Sequence, residues 1–202
     1  LWPRGTNVAL RPRFAGIGKR LRGMPLVLGV VAIAAMIGTG VHINHNFKTL
    51  NRFQTSDDVE KWQADYEKKY LKYENLPRPV VTAVKLDAQI FPKESRLEVV
   101  GNYKMRNDTN APITDVHIRQ GGLDVKFPKL EMAGARLVKE DKDFGYRIFR
   151  FDQPLQPGAA TELNFKSQIW NRGFRNGQPA TNVALNGTFV NNFEFAPAIG
   201  MN

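Results

Sequence analysis

The chain has 202 residues, 42% of them hydrophobic and 24% charged, which is the composition of a folded protein of one sizeable domain plus an appendage and excludes a low-complexity chain. Its formal charge is +10, but seven of those charges (Arg4, Arg11, Arg13, Lys19, Arg20, Arg22 and Lys48) fall in residues 1–48, which hold no Asp or Glu. The basic excess is therefore an arm around an apolar run, and nucleic acid is not an expected partner: no known nucleic-acid module surrounds the arm. With no cysteine, disulfides and thiolate metal sites are excluded, although the compartment stays open.

From Gly23 to Phe47 no Lys, Arg, Asp or Glu interrupts the sequence, and Met24–Ile43 is apolar around the whole helical circumference. Twenty residues at about 1.5 Å each reach roughly 30 Å, the thickness of a bilayer's hydrocarbon core. Three readings compete: a buried core helix, a cleaved export signal ending near Gly38-Thr39-Gly40, and a membrane span. Length and the six basic residues before it favour the span, with residues 1–22 retained in the cytoplasm and the remainder outside. The expected organisation is a basic cytoplasmic arm (1–22), a transmembrane helix (23–44), a neck with an amphipathic helix (45–79) and a β-domain (80–202). The chain opens on Leu1, and the expectation is a fragment of a longer protein, incomplete at its C-terminus.

Thr55 or Ser56 can cap a helix with Asp57, Asp58 and Glu60 in its first turn and Lys68, Lys69 and Lys72 late, matching the helix dipole at both ends. Val59, Trp62, Tyr66, Tyr70 and Tyr73 recur at spacings of three and four and form one stripe, read as a packing face for the following domain. Pro77 and Pro79 end the helix.

From Val80 the period becomes two. Val84, Leu86, Ala88 and Ile90 share one face, opposite Lys85, Asp87 and Gln89; after a turn at Pro92–Ser95, Leu97, Val99, Tyr103 and Met105 oppose Arg96, Glu98, Asn102, Lys104 and Arg106. Further strands are predicted at 113–120, 123–127, 130–138, 144–151 and 161–170. Short strands with frequent turn signals predict a mainly β fold, an antiparallel β-sandwich in which each sheet keeps one wet face.

Three histidines are available to chemistry. His42 and His45 lie three apart at the end of the apolar run and read as an interfacial polar pair, since two ligands do not make a metal site. His117, between Asp115 and Arg119, is expected to be exposed on a polar strand face. No zinc-protease, phosphate-loop, hydrolase-elbow or dinucleotide motif is present, so neither catalytic nor metal-binding residues are assigned. The glycosylation-type triplets at Asn107 and Asn186 read equally well as turns. Arg172 and Arg175 mark an exposed loop, and Phe189, Phe193 and Phe195 give the C-terminal stretch the look of a segment that docks on something else.

The sequence "YEKKYLKYENLPRPVVTAVKLDAQIFPKESRLEVVGNYKMRNDTNAPITDVHI", followed by "FGYRIFRFDQPLQPGAATELNFKSQIWNRGF" and "NGTFVNNFEFAPAIGMN", resembles the N-terminal β-domain of aminopeptidase N-like zinc metallopeptidases. The resemblance runs over about 140 residues and is strongest to bacterial members in which the peptidase follows an ABC-type permease region on one polypeptide. It implies that zinc, its HExxH ligands and the amine-binding GxMEN stretch belong to a following catalytic domain, with peptides as the parent's substrate; Gly200-Met201-Asn202 is not that stretch. In relatives the N-terminal domain lends a polar residue to the substrate's first-residue pocket, and the matching positions here are Asn192 and Glu194. The alternative is an anchored extracytoplasmic β-sandwich that binds its own partner, or a transporter-associated domain.

Overall fold

A computed structural model describes residues 22–121, 124–176 and 182–201. The chain divides into two units at the Leu50–Asn51 junction. The first holds helix α1, Met24–Asn44, which runs on into a π-helical turn at His45–Leu50. Pro25 sits in the first turn, where its missing N–H costs no helical bond. None of the residues of α1 is buried, so the core-helix reading fails. The one hydroxyl in its middle, Thr39, donates to the Ala35 carbonyl at 2.8 Å, and Asn46 donates to the His42 carbonyl at 2.9 Å, so these polar groups are satisfied within the helix. By length and composition α1 can cross a membrane.

The second unit begins with helix α2, Ser56–Tyr70, followed by a short 3₁₀ turn at Leu71–Tyr73. Thr55 and Asp58 form a capping box: the Thr55 amide donates to the Asp58 carboxylate at 2.9 Å, and the Asp58 amide donates to the Thr55 hydroxyl at 3.2 Å. The strands that follow are β1 (Val80–Phe91), β2 (Arg96–Arg106), β3 (Ile113–Gln120), β4 (Val125–Met132), β5 (Ala135–Asp141), β6 (Tyr146–Leu155) and β7 (Ala160–Trp170). A two-residue ladder, β8 (Val183–Ala184) with β9 (Gly187–Thr188), precedes a single helical turn, α3 (Asn192–Phe195), and strand β10 (Pro197–Ile199).

Two four-stranded antiparallel sheets result, in the orders β1-β2-β7-β4 and β10-β3-β6-β5. The predicted β-sandwich is thus the observed class. Its core lies between the sheets, built from Leu97, Val99, Tyr103 and Met105 of β2, Leu163, Phe165 and Ile169 of β7, and Ile113, Val116, Ile118, Phe149 and Phe151 of the second sheet. Gly101 faces Phe165 across the ladder, and a Cβ there would fall 2.1 Å from the ring, so this glycine opens the space the ring fills. Asn107, fully buried, donates to the Ala111 and Leu155 carbonyls at 2.9 and 2.8 Å and accepts from the Thr109 amide and hydroxyl. It pins the β2–β3 turn, so its triplet is a turn.

Three strands differ from expectation: β6 runs Tyr146–Leu155 where 144–151 is predicted, and β4 and β5 divide elsewhere. Instead of breaking between 127 and 130, the chain runs as one strand through Pro128, with a bulge between Lys126 and Lys129. That is tolerable because β4 is an edge strand, where a missing N–H removes no ladder bond. The turn falls instead at Ala133-Gly134, where Gly134 takes φ 71°, and β5 extends to Asp141.

Candidate functional site

The stripe on α2 lies across the outer face of the second sheet. Trp62 donates its indole N–H to the Asp143 carbonyl at 2.8 Å, Tyr66 its hydroxyl to the Met201 carbonyl at 2.6 Å, and Tyr70 its hydroxyl to Asp141 at 2.5 Å. The Tyr70 ring stacks on Tyr146 with centroids 4.0 Å apart, and Phe144 closes the cluster. Each aromatic body is covered while its polar tip finds a partner, which is how such residues are buried at low cost. Val59, at the start of the stripe, stays exposed.

The exposed reading of His117 is overturned by the aromatic residues around it. The side chain is 6% exposed, shares a 2.8 Å hydrogen bond with the Tyr146 hydroxyl through Nδ1, and lies 4.6 Å from the Tyr73 ring centre. Burial holds its pKa below the ordinary histidine range; nearby Asp115 opposes that shift and Lys139 adds to it. Burial also pushes the Tyr66, Tyr70 and Tyr146 hydroxyls upward, so all three stay neutral, and Tyr66 and Tyr70 act as donors. Burial raises Asp141 too, but hydrogen bonds from Lys69 and Tyr70 outweigh it and leave the carboxylate below its ordinary value. The set is a packed polar layer whose chemistry is structural, and an open cleft beside it is lined by Arg52, Asp58, Lys61, Trp62, Asp65 and Phe144.

The layer reaches the last residues of the chain. Strand β10 adds to the edge of β3, Gly200 donates its N–H to the His117 carbonyl at 2.8 Å, and Met201 is buried beneath Tyr66. Gly200 takes φ 103° and packs against Arg78, so only glycine fits there. The C-terminal segment, expected to dock elsewhere, is partly built into the sandwich.

Just before it lie the two predicted site residues. The Glu194 carboxylate accepts from Asn182 at 2.8 Å and from Asn191 at 2.9 Å, while Asn192 opens α3 with its side chain exposed. The turn is seated on Gly121, where a Cβ would fall 1.5 Å from the Phe193 carbonyl oxygen. Of the three phenylalanines only Phe195 turns inward to the core; Phe189 and Phe193 are 81% and 74% exposed, beside Leu185 at 73%. The neighbouring Arg175 is not free to bind acidic groups, because it pairs with Asp124 at 2.7 Å and reaches the Asn51 and Asn171 side-chain oxygens. Residues 177–181 of that loop lie outside the described residues. Among the described residues no three His, Asp or Glu side chains could jointly hold a metal ion.

No sequence-family model matches this chain, and no curated protein matches it. Several solved chains are similar, among them the following two. One is a two-domain M1 zinc metallopeptidase variant with bound L-tryptophan, at 15% identity and a TM-score of 0.37 over 48% of this chain. The other is an M1 zinc metallopeptidase variant from Deinococcus radiodurans bound to a Tyr-Ser-Ala substrate, at 16% identity and a TM-score of 0.36 over 55% of this chain. The matches span 22% and 26% of those chains.

Proposed function

We propose that this chain is the membrane-anchored, non-catalytic N-terminal part of a zinc metalloaminopeptidase-like protein, whose β-sandwich docks a catalytic domain that follows it. The observation that carries this reading is the outgoing segment: bare Leu185, Phe189 and Phe193 stand beside a terminal strand whose exit, Met201, is locked under α2. Three large apolar side chains left bare within residues 185–193 are a surface for association. The sequence resemblance, from about Glu60 to the end, supplies the identity of what would associate.

In this reading α1 spans the membrane with the basic arm in the cytoplasm, and the sandwich lies in the periplasm or outside the cell. Zinc and the peptide-cleaving groups sit in the following domain, and an ABC-type permease region precedes α1. Asn192 and Glu194 border the substrate site. Glu194, held by Asn182 and Asn191, would set the shape of the turn, and Asn192, whose side chain is exposed, would meet a bound peptide.

The test is the reading frame beyond Asn202, expressed as a separate domain. An HExxH-containing domain that binds the present chain, and loses binding on Phe189→Asp or Phe193→Asp, is the expected result. A stop codon directly after Asn202, or a downstream domain indifferent to both changes, overturns the reading. Protease protection on membrane vesicles checks the topology: residues 50–202 should be shielded from a cytoplasmic protease.

A further inference from the structure

Strand β1 is the outer strand of the first sheet, twelve residues long, and its far side is hydrogen-bonded to no strand among the described residues. Its register places Val84, Leu86, Ala88 and Ile90 opposite Tyr103, Gly101, Val99 and Leu97, on the face that forms the core. Yet the second sheet does not reach over them: Val84, Leu86 and Ile90 are 55%, 41% and 48% exposed. The other edge of the same sheet, β4, is blunted by Pro128 and a bulge, the usual protection against pairing with another chain. Beyond its single irregularity at Val81/Ala83, β1 carries no such device.

The sequence of this edge is complementary to itself. When two copies of β1 run antiparallel about a two-fold axis through Leu86, Leu86 meets Leu86 once, while Val84 meets Ala88 and Lys85 meets Asp87 twice each. Residues directly opposite in an antiparallel ladder project to the same face. The apolar row of one copy then continues into the other on the core side, while two Lys–Asp pairs form on the wet side. Neither Lys85 nor Asp87 has an ion-pair partner within the chain among the described residues. Moving the axis by one residue breaks the match, because an axis at Lys85 sets lysine against lysine and an axis at Asp87 sets aspartate against aspartate.

We propose that β1 is a homodimer edge, and that two copies of this chain join their first sheets into one eight-stranded sheet through the Leu86 two-fold. An isologous contact of this kind closes after two copies, and the β4 edges left at the two ends of the joined sheet are blunted by Pro128 and its bulge. The proposal stands independently of any downstream peptidase.

The chain has no native cysteine, so position-specific cross-linking can be read on the full chain in its membrane. Opposed Cα atoms lie about 4.5–5.5 Å apart, within disulfide range. Under a mild oxidant Leu86→Cys should form a covalent dimer. Val84→Cys and Ala88→Cys should each stay monomeric alone, since each would be about 13 Å from its own copy, but should cross-link when co-expressed. Lys85→Asp or Asp87→Lys in the Leu86→Cys background should abolish the dimer by setting like charges opposite each other. Co-expressing those two variants, or combining both changes in one chain, should restore it, which distinguishes lost pairing from lost folding. Monomeric Leu86→Cys, equal cross-linking at all three cysteine positions, or charge variants without effect would each overturn the proposal.

Discussion

The two sheets of the sandwich carry the same alternation of apolar and polar residues, and their outer faces end differently. On the first sheet Asn102, Glu98, Lys166 and Gln168 form a wet lattice in which Lys166 and Gln168 both reach Glu98 at 3.1 Å. On the second sheet the equivalent face carries His117, Ile148 and Tyr146, and α2 covers it. A polar residue such as Asn102 keeps water as an alternative partner; His117 has only Tyr146 and the aromatic rings around it. The difference teaches that alternation assigns residues to faces and leaves open whether the second face is dry.

The largest effect in the covered region is expected at Tyr70. Replacing it by alanine removes a fully buried ring stacked on Tyr146 and should lower stability by about 3–5 kcal/mol, read by denaturant unfolding of the full chain in detergent. Tyr70→Phe keeps the ring, loses the bond to Asp141, and should cost about 0.5–1.5 kcal/mol. A loss at Tyr70→Ala no larger than that at Tyr70→Phe would mean that α2 does not pack as described. Next is Gly121→Ala, which forces the Phe193 carbonyl away from the sheet at a cost of about 1–3 kcal/mol. It should expose residues 185–196 to limited proteolysis while leaving α2 in place.

The covered and wet faces should also part in their response to acid. Because the folded pKa of His117 lies below its unfolded value, the unfolded chain binds the extra proton first as pH falls below about 6.5. Stability therefore rises with pH through that window and drops on acidification, until the folded pKa is also passed. His117→Asn should flatten this slope, measured as unfolding midpoints between pH 7.5 and 5; an unchanged slope would show that the histidine is not held neutral. On the wet face, Lys166→Ala should change stability by no more than about 0.5 kcal/mol, because an exposed ion pair keeps water as its alternative.

Much of the local structure was legible. The period-two runs in β1 and β2, the Pro92 turn and the cap at Thr55 read directly, since each rests on neighbours within a few residues. The aromatic stripe was legible as a packing face, but its target was not. Asp141, Asp143 and Met201 lie 71 to 135 residues away along the chain from their tyrosine and tryptophan partners. The candidate site was half legible. The aromatic and asparagine-rich stretch at 186–195 stood out by composition, whereas the grip of Asn182 and Asn191 on Glu194 depends on a turn set down on Gly121, with nothing but that glycine to signal it.

What the sequence determined alone was periodicity and charge placement: a helix apolar on every side, a helix with one aromatic stripe, and strands with two unlike faces. These follow from chain geometry, in which side-chain direction repeats every 3.6 or two residues. The tertiary structure decided which faces meet. It put Tyr73 and Tyr146 against His117, left the β1 row uncovered, and stitched Pro197–Ile199 to β3. Those outcomes depend on how far each sheet extends and on contacts between distant segments, and no local pattern encodes the free energy of removing one particular face from water.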